Sequence, residues 1–178
     1  MADDVTLREV RDGDLPIFFE QQLDPEANRM VAFTSGNPGD RDAFMAHWAA
    51  VRGDDTNINR TILSGEQVAG NIAYFHAFGE PEVGYWLGRE FWGRGVATKA
   101  LAALLREAPE RPLYARVAQD NLASLRVLQK CGFTITGEDK GYAPARGEIT
   151  AEYLLTLAAS GADADATTDE KGQGGQER

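Results

Sequence analysis

The stretch from Glu82 to Ala97, Glu-Val-Gly-Tyr-Trp-Leu-Gly-Arg-Glu-Phe-Trp-Gly-Arg-Gly-Val-Ala, constrains this chain more than any other. It reads as an apolar strand that enters a glycine-punctuated turn and passes directly into a helix. The first N–H groups of a helix have no acceptor within it and lie at the positive end of its dipole. A phosphate placed there gains several hydrogen bonds at once. Gly93 and Gly95 permit a tight turn with no Cβ between backbone and ligand. A plain connector would carry the same glycines, and the turn alone does not separate the two readings. Two common nucleotide loops are disfavoured. A Walker loop needs Lys and then Ser/Thr after its last Gly, where this chain has Val96 and Ala97. The dinucleotide fingerprint needs a third glycine or alanine where this chain has Thr98, within alternating parallel strands and helices that are not apparent here.

A second informative segment runs from Asn121 to Phe133, Asn-Leu-Ala-Ser-Leu-Arg-Val-Leu-Gln-Lys-Cys-Gly-Phe. Asp120 or Asn121 can cap a helix, Leu125, Leu128 and Cys131 recur at helical spacing, and Gly132 supplies the stop. Asn121 and Ser124 fall near the helix start, where side chains can face a ligand lying between this helix and the preceding strand.

With both segments in view, the chain resembles the GNAT superfamily of acetyl-CoA-dependent N-acetyltransferases, and within it the ribosomal-protein-alanine acetyltransferase-like branch. The superfamily's pyrophosphate loop is written Gln/Arg-x-x-Gly-x-Gly/Ala. Trp92-Gly93-Arg94-Gly95-Val96-Ala97 fits it, with Trp92 in the first place, a substitution met in that branch. Asn-x-x-Ser followed by Arg-Val-Leu-x-Lys-x-Gly-Phe also looks like that branch. The resemblance covers roughly Val5 to Leu157.

The rest of the chain suits an α/β single-domain fold of the GNAT type, with a mixed, largely antiparallel sheet, a splayed central strand and flanking helices. Strand-like runs are Val5–Val10, Asn57–Leu63, Gln67–Phe75, Glu82–Leu87, Leu113–Ala118, Phe133–Thr136 and Ile149–Leu157. Helices are expected at Leu15–Gln22, at Asp40–Val51, after the glycine loop as far as Pro109, and from Asn121. Asn28–Asp40 and Glu138–Gly147 read as a polar link and a loop, and Ser64-Gly65-Glu66 as a hairpin turn. Residues 1–158 form the expected acetyltransferase domain. From Ala159 to Arg178 no apolar residue exceeds Ala, too little to offset ordering entropy, so a disordered tail is expected there.

At 178 residues the chain suits one domain with a sizeable core. Its net charge of −10 argues against a nucleic-acid partner and leans toward a cationic acceptor, although solubility alone would account for it. No apolar run approaches the roughly 20 residues that span a membrane. Asp3 and Asp4 replace the basic, apolar start of a secretion signal, so a cytoplasmic protein is expected. Lone Cys131 reads as core, and His47 and His76 lack a second ligand at metal-binding spacing, so no metal is expected.

The resemblance implies a site as well as a fold. Acetyl-CoA is the implied cosubstrate, its pyrophosphate on the N–H groups of Arg94, Gly95, Val96, Ala97 and Thr98. Its pantetheine arm lies along the backbone of Tyr85, Trp86 and Leu87, with the Asn121 carboxamide holding the arm. The implied reaction is direct attack of a primary amine, from a protein N-terminus or a small molecule, within a ternary complex. Such a reaction needs a base for the amine proton, a donor for the developing oxyanion and an acid for the leaving sulfur. Glu82 stands where several members carry a catalytic Glu, in apolar surroundings that can raise its pKa, though an exposed turn Glu after Pro81 would look the same. Others place the base five residues before the motif Asn, which here is Arg116; the Tyr that many carry seven residues after it is here Leu128. Ser124 then becomes the implied thiolate partner, with Tyr142 in reserve. Arg29, Met30, Phe33, Tyr142 and Arg146 flank the implied acceptor cleft without naming an acceptor. A monomer or homodimer fits equally. The alternatives are a non-catalytic acetyl-CoA sensor and a plain interaction module.

Overall fold

The computed structural model describes residues 4–159, so the expected tail, apart from its first residue, lies outside the described residues. Seven strands form one sheet: β1 (Val5–Glu9), β2 (Ile58–Ser64), β3 (Gln67–Ala77), β4 (Glu80–Leu87), β5 (Leu113–Ala118), β6 (Thr134–Ala143) and β7 (Glu148–Leu157). Their order is β1-β2-β3-β4-β5-β7-β6. Every neighbouring pair is antiparallel except β4 and β5. Five α-helices complete the chain: α1 (Leu15–Gln22), α2 (Pro25–Val31), α3 (Arg41–Arg52), α4 (Val96–Glu107) and α5 (Leu122–Lys130).

Alternation along the strands divides the side chains between two faces. Ile72 and Tyr74 of β3, Val83 and Leu87 of β4, and Leu113, Ala115 and Val117 of β5 point to one face, where Leu101 and Leu104 of α4 and Leu128 of α5 close the main core. A smaller core of Leu15, Phe18, Phe19, Phe44 and Trp48 lies under α1 and α3 on the other face. Asp14 anchors α1: its carboxylate accepts from the Arg8 guanidinium at 2.7 and 2.9 Å, from Thr61 Oγ1 at 2.6 Å and from the Arg11 N–H at 2.9 Å.

Two expectations about the connections fail. The region read as a polar link contains the end of α2, which starts one turn earlier on a signature that was overlooked. Asp24 caps it by accepting from the Glu26 N–H, and Pro25 occupies its first turn. With seven residues the helix is too short to show a helical period. Glu138–Gly147 is largely strand, not loop: β6 extends to Ala143 and pairs with β7 throughout, leaving a turn at 144–147. As an edge strand β6 is exposed at most positions, so no alternation marked it.

Candidate active site

Strands β4 and β5 pair at a single position, Glu82 with Tyr114, and beyond it they part. The strands on either side do not relieve this. β4 remains paired with β3 from Glu80 to Leu87, and β5 with β7 from Leu113 to Ala118. The backbone of Tyr85, Trp86 and Leu87 therefore borders an opening on its β5 side. A cleft of about 370 Å³ occupies it, lined by those three residues, by the glycine loop and the start of α4, and by Asn121, Ser124 and Met30. The close packing of β4 on β3 at this point depends on Gly70, where a Cβ would lie 2.0 Å from the Trp86 carbonyl oxygen.

The loop behind the cleft has the geometry expected of an anion cradle. Gly93 and Gly95 adopt φ of 71° and 75°, a left-handed conformation that other residues resist. A Cβ at either position would meet no protein atom within 4 Å, and both glycines line the cleft. Gly95 is the N-cap of α4, and the N–H groups of Val96, Ala97 and Thr98 lie in its first turn, where a helix provides no acceptor. Trp92 secures the loop by donating Nε1–H to the Leu87 carbonyl at 3.1 Å. The Arg94 side chain folds back, donating to the Glu90 carbonyl at 3.3 Å and covering the Phe91 ring.

The other wall is the start of α5. Asn121 caps this helix, its Oδ1 accepting from the Ser124 N–H at 3.3 Å, while its Nδ2 donates to the Met30 carbonyl at 3.3 Å and ties α5 to α2. The carboxamide expected to hold pantetheine thus already serves the protein with both ends. Ser124 lines the cleft, and its Oγ accepts from the Tyr85 hydroxyl at 2.9 Å. The Tyr85 side chain is a site residue that sequence reasoning missed, having weighed that position for its backbone alone. Its place on the core-facing side of β4, two residues from Val83, was the available signal.

Glu82 is on the opposite face, with Gly84 and Trp86. It is 5 % exposed, which excludes the reading as a solvated turn residue. Burial pushes its carboxyl up from the ordinary range, the Arg116 guanidinium pulls against that, and Glu152 and Glu80 add to the rise. Arg116, treated in the sequence only as a missing base, is the hub of this face. It lies 2.9 Å from Glu152, 3.5 Å from Asp139 and 3.8 Å from Glu82, with the Phe78 ring 4.4 Å from its guanidinium carbon. Only pairing across three strands could have revealed it.

A second cavity of about 370 Å³ lies on the Glu82 face of the sheet. Trp86 borders both cavities; here it is joined by Phe18, Phe44, Trp48, Asn71 and Asp40. The remaining expected residues scatter. Arg146 binds both Asp120 carboxylate oxygens at 2.8 Å and the Arg29 carbonyl at 2.7 Å, holding the β6–β7 turn to the start of α5 and the last turn of α2. Tyr142 is 62 % exposed on that hairpin and is not among the residues lining the cleft. His76 lies 3.5 Å from Glu110 and His47 borders the second cavity. Cys131 packs against the main core, where burial raises its thiol. No helix among the described residues is long and apolar enough to cross a membrane.

Comparison with known proteins bears directly on this geometry. Residues 4–134 match the family model of the acetyltransferase (GNAT) domain. An uncharacterised N-acetyltransferase, p20, of Bacillus licheniformis is 23 % identical over 163 residues, covering 86 % of this chain and 92 % of its own. The fold recurs in the spermidine N-acetyltransferase of Vibrio cholerae, solved with CoA and spermine, at a TM-score of 0.74 and 15 % identity over 86 % of this chain and 95 % of that one. It recurs in the microcin C7 self-immunity acetyltransferase MccE, solved with acetyl-CoA and AMP, at a TM-score of 0.70 and 20 % identity over 88 % and 93 % of the two chains. With residues 4–134 of its 178 matched by the family model, this chain belongs to the GNAT acetyltransferases.

Proposed function

We propose that this protein transfers an acetyl group from acetyl-CoA to a primary amine by direct attack in a ternary complex. One observation carries the reading: the opening between β4 and β5 has Glu82 at its closed end on one face of the sheet and Ser124 on the other. A reacting carbonyl in such an opening is reachable from both faces. Acetyl-CoA supplies the activated acyl group as a thioester. The N–H groups of Arg94 to Thr98 hold its pyrophosphate and the Tyr85–Leu87 backbone aligns its pantetheine arm. The two positive-φ glycines with open space beside them fit such an occupant, since a Cβ there would intrude on it.

The acceptor amine approaches from the Glu82 face, where its proton passes to the Glu82 carboxylate, directly or through water. Ser124 donates to the sulfur on the opposite face. The carboxylates of that acceptor face outnumber its Arg, which suits a cationic amine. A protein N-terminus, as in the ribosomal-protein-alanine branch, and a small-molecule amine both meet this description. The second cavity, beyond Trp86, offers room for the acceptor's body.

Two measurements test the reading. Saturating acetyl-CoA should raise the melting temperature, and a panel of amines should include one that drives thiol release. A thermal shift without turnover on any amine would favour an acetyl-CoA sensor; no shift at all would leave an interaction module.

A further inference from the structure

Packing alone asks for Phe at position 85. The partly buried ring packs against the core beneath α4 and α5, and a hydroxyl largely withdrawn from water there needs a partner. Tyr85 has one in Ser124 Oγ, to which its hydroxyl donates at 2.9 Å; burial raises the phenol, and the bond with Ser124 pulls the other way. A serine hydroxyl has one hydrogen and two lone pairs. With the Tyr85 proton filling one lone pair, the serine's own hydrogen must point elsewhere, and Ser124 borders the cleft. The Ser124 N–H is already taken by Asn121 Oδ1, so the residue is held from its main chain and its side chain at once.

We propose that Tyr85 is a positioning residue for acyl transfer, holding the Ser124 hydroxyl as a donor to the departing sulfur. The proposal rests on the reading that Ser124 faces that sulfur. The nitrogen–carbon bond forms as the carbon–sulfur bond breaks, the sulfur keeps the bonding pair, and the amine proton goes to Glu82. Ser124 and Tyr85 keep their own protons. An ordinary thiol has a pKa of about 8.5, so the leaving thiolate needs a hydrogen bond rather than full protonation. A bond donated to an anion is about twice as strong as a neutral one, and a donor that is itself receiving a bond is polarised further.

The experiment compares wild type, Tyr85→Phe, Ser124→Ala and the double variant. The first readout needs no acceptor: calorimetric affinity for CoA at pH 7 and pH 9. A donor to the thiolate lowers the thiol pKa in the complex, so wild-type affinity should rise with pH between the bound and free values. That rise should shrink severalfold in Tyr85→Phe. The second readout is turnover on the best amine of the screen. Tyr85→Phe should lower kcat about five- to tenfold, the scale of one hydrogen bond, with KM for acetyl-CoA within twofold. Adding it to Ser124→Ala should change neither readout further. Independent, multiplying effects, or a Tyr85→Phe variant with wild-type turnover and an unchanged affinity ratio, would overturn the proposal while an impaired Ser124→Ala variant keeps the serine's own role. A fully active Ser124→Ala variant would remove both.

Discussion

Burial and Arg116 act on the Glu82 carboxyl in opposite directions. Burial disfavours the charged carboxylate and the guanidinium favours it. Replacing Arg116 by Gln should raise the Glu82 pKa, and if Glu82 is the base, which acts when deprotonated, the acidic limb of the pH–rate profile should move to higher pH. The same change leaves Glu152 and Glu82 buried without their cation, at a cost of about 3 kcal/mol in stability by chemical denaturation. Glu82→Gln keeps the shape and removes the proton acceptor. Its kcat should fall on the order of 10²-fold at neutral pH, with partial rescue in alkaline buffer, where the amine arrives neutral. Full activity at neutral pH would take Glu82 out of the reaction. Asp14 behaves in the opposite sense. Burial pushes its carboxyl up, but the bonds from Arg8, Thr61 and Arg11 outweigh that and bring it down to about 2. Its stabilisation is therefore complete above the unfolded carboxylate range near pH 4 and is lost as pH falls toward about 2. Asp14→Asn should flatten acid unfolding over that window and reduce stability at neutral pH.

At the scale of elements, the site depends on how β4 meets its neighbours. Gly70 lets the β3 backbone approach the Trp86 carbonyl, next to a register shift in the β2–β3 ladder. A methyl at that position has no room, so Gly70→Ala should destabilise by about 1–3 kcal/mol and weaken CoA binding together, by displacing β4. Gly95 presents the contrasting case. A side chain there has open space but an unfavourable φ of 75°, so Gly95→Val should cost about 1–2 kcal/mol in backbone strain yet leave a folded protein. Calorimetry on that folded variant should find CoA binding abolished, because the branched side chain occupies the phosphate's approach. Wild-type affinity would place the anion site elsewhere.

At the scale of the whole molecule, ligand and fold are linked. The cleft joins β4, α4 and α5, which also carry the main core, so an occupant that binds only the native state stabilises all of it. At a hundredfold excess over Kd that amounts to about 2.7 kcal/mol, or about 5–10 °C in melting temperature for a domain of this size. Leu101 and Leu104 are fully buried between α4 and the sheet, and truncating either to Ala should cost about 2–5 kcal/mol without touching a cleft residue. A scan with and without acetyl-CoA should show such a variant keeping its ligand-induced shift while losing its baseline.

Local chemistry determined much of this protein from its sequence alone. Glycines followed at once by a helical pattern in Trp92–Ala97, an Asn cap three residues before Ser124, and the alternation of β4 each act within a few residues, and a short window contains their whole cause. The family resemblance that those motifs carry implied the backbone of Tyr85–Leu87 and Glu82. What it could not contain is which groups meet across distance. That Arg116 holds three carboxylates, that Tyr85 reaches Ser124, and that the Asn121 amide is spent on Met30 depend on strand order, register and the packing of α2 and α5. Those contacts join residues as many as 91 positions apart, and they follow from burying two faces of one twisted sheet rather than from any local pattern.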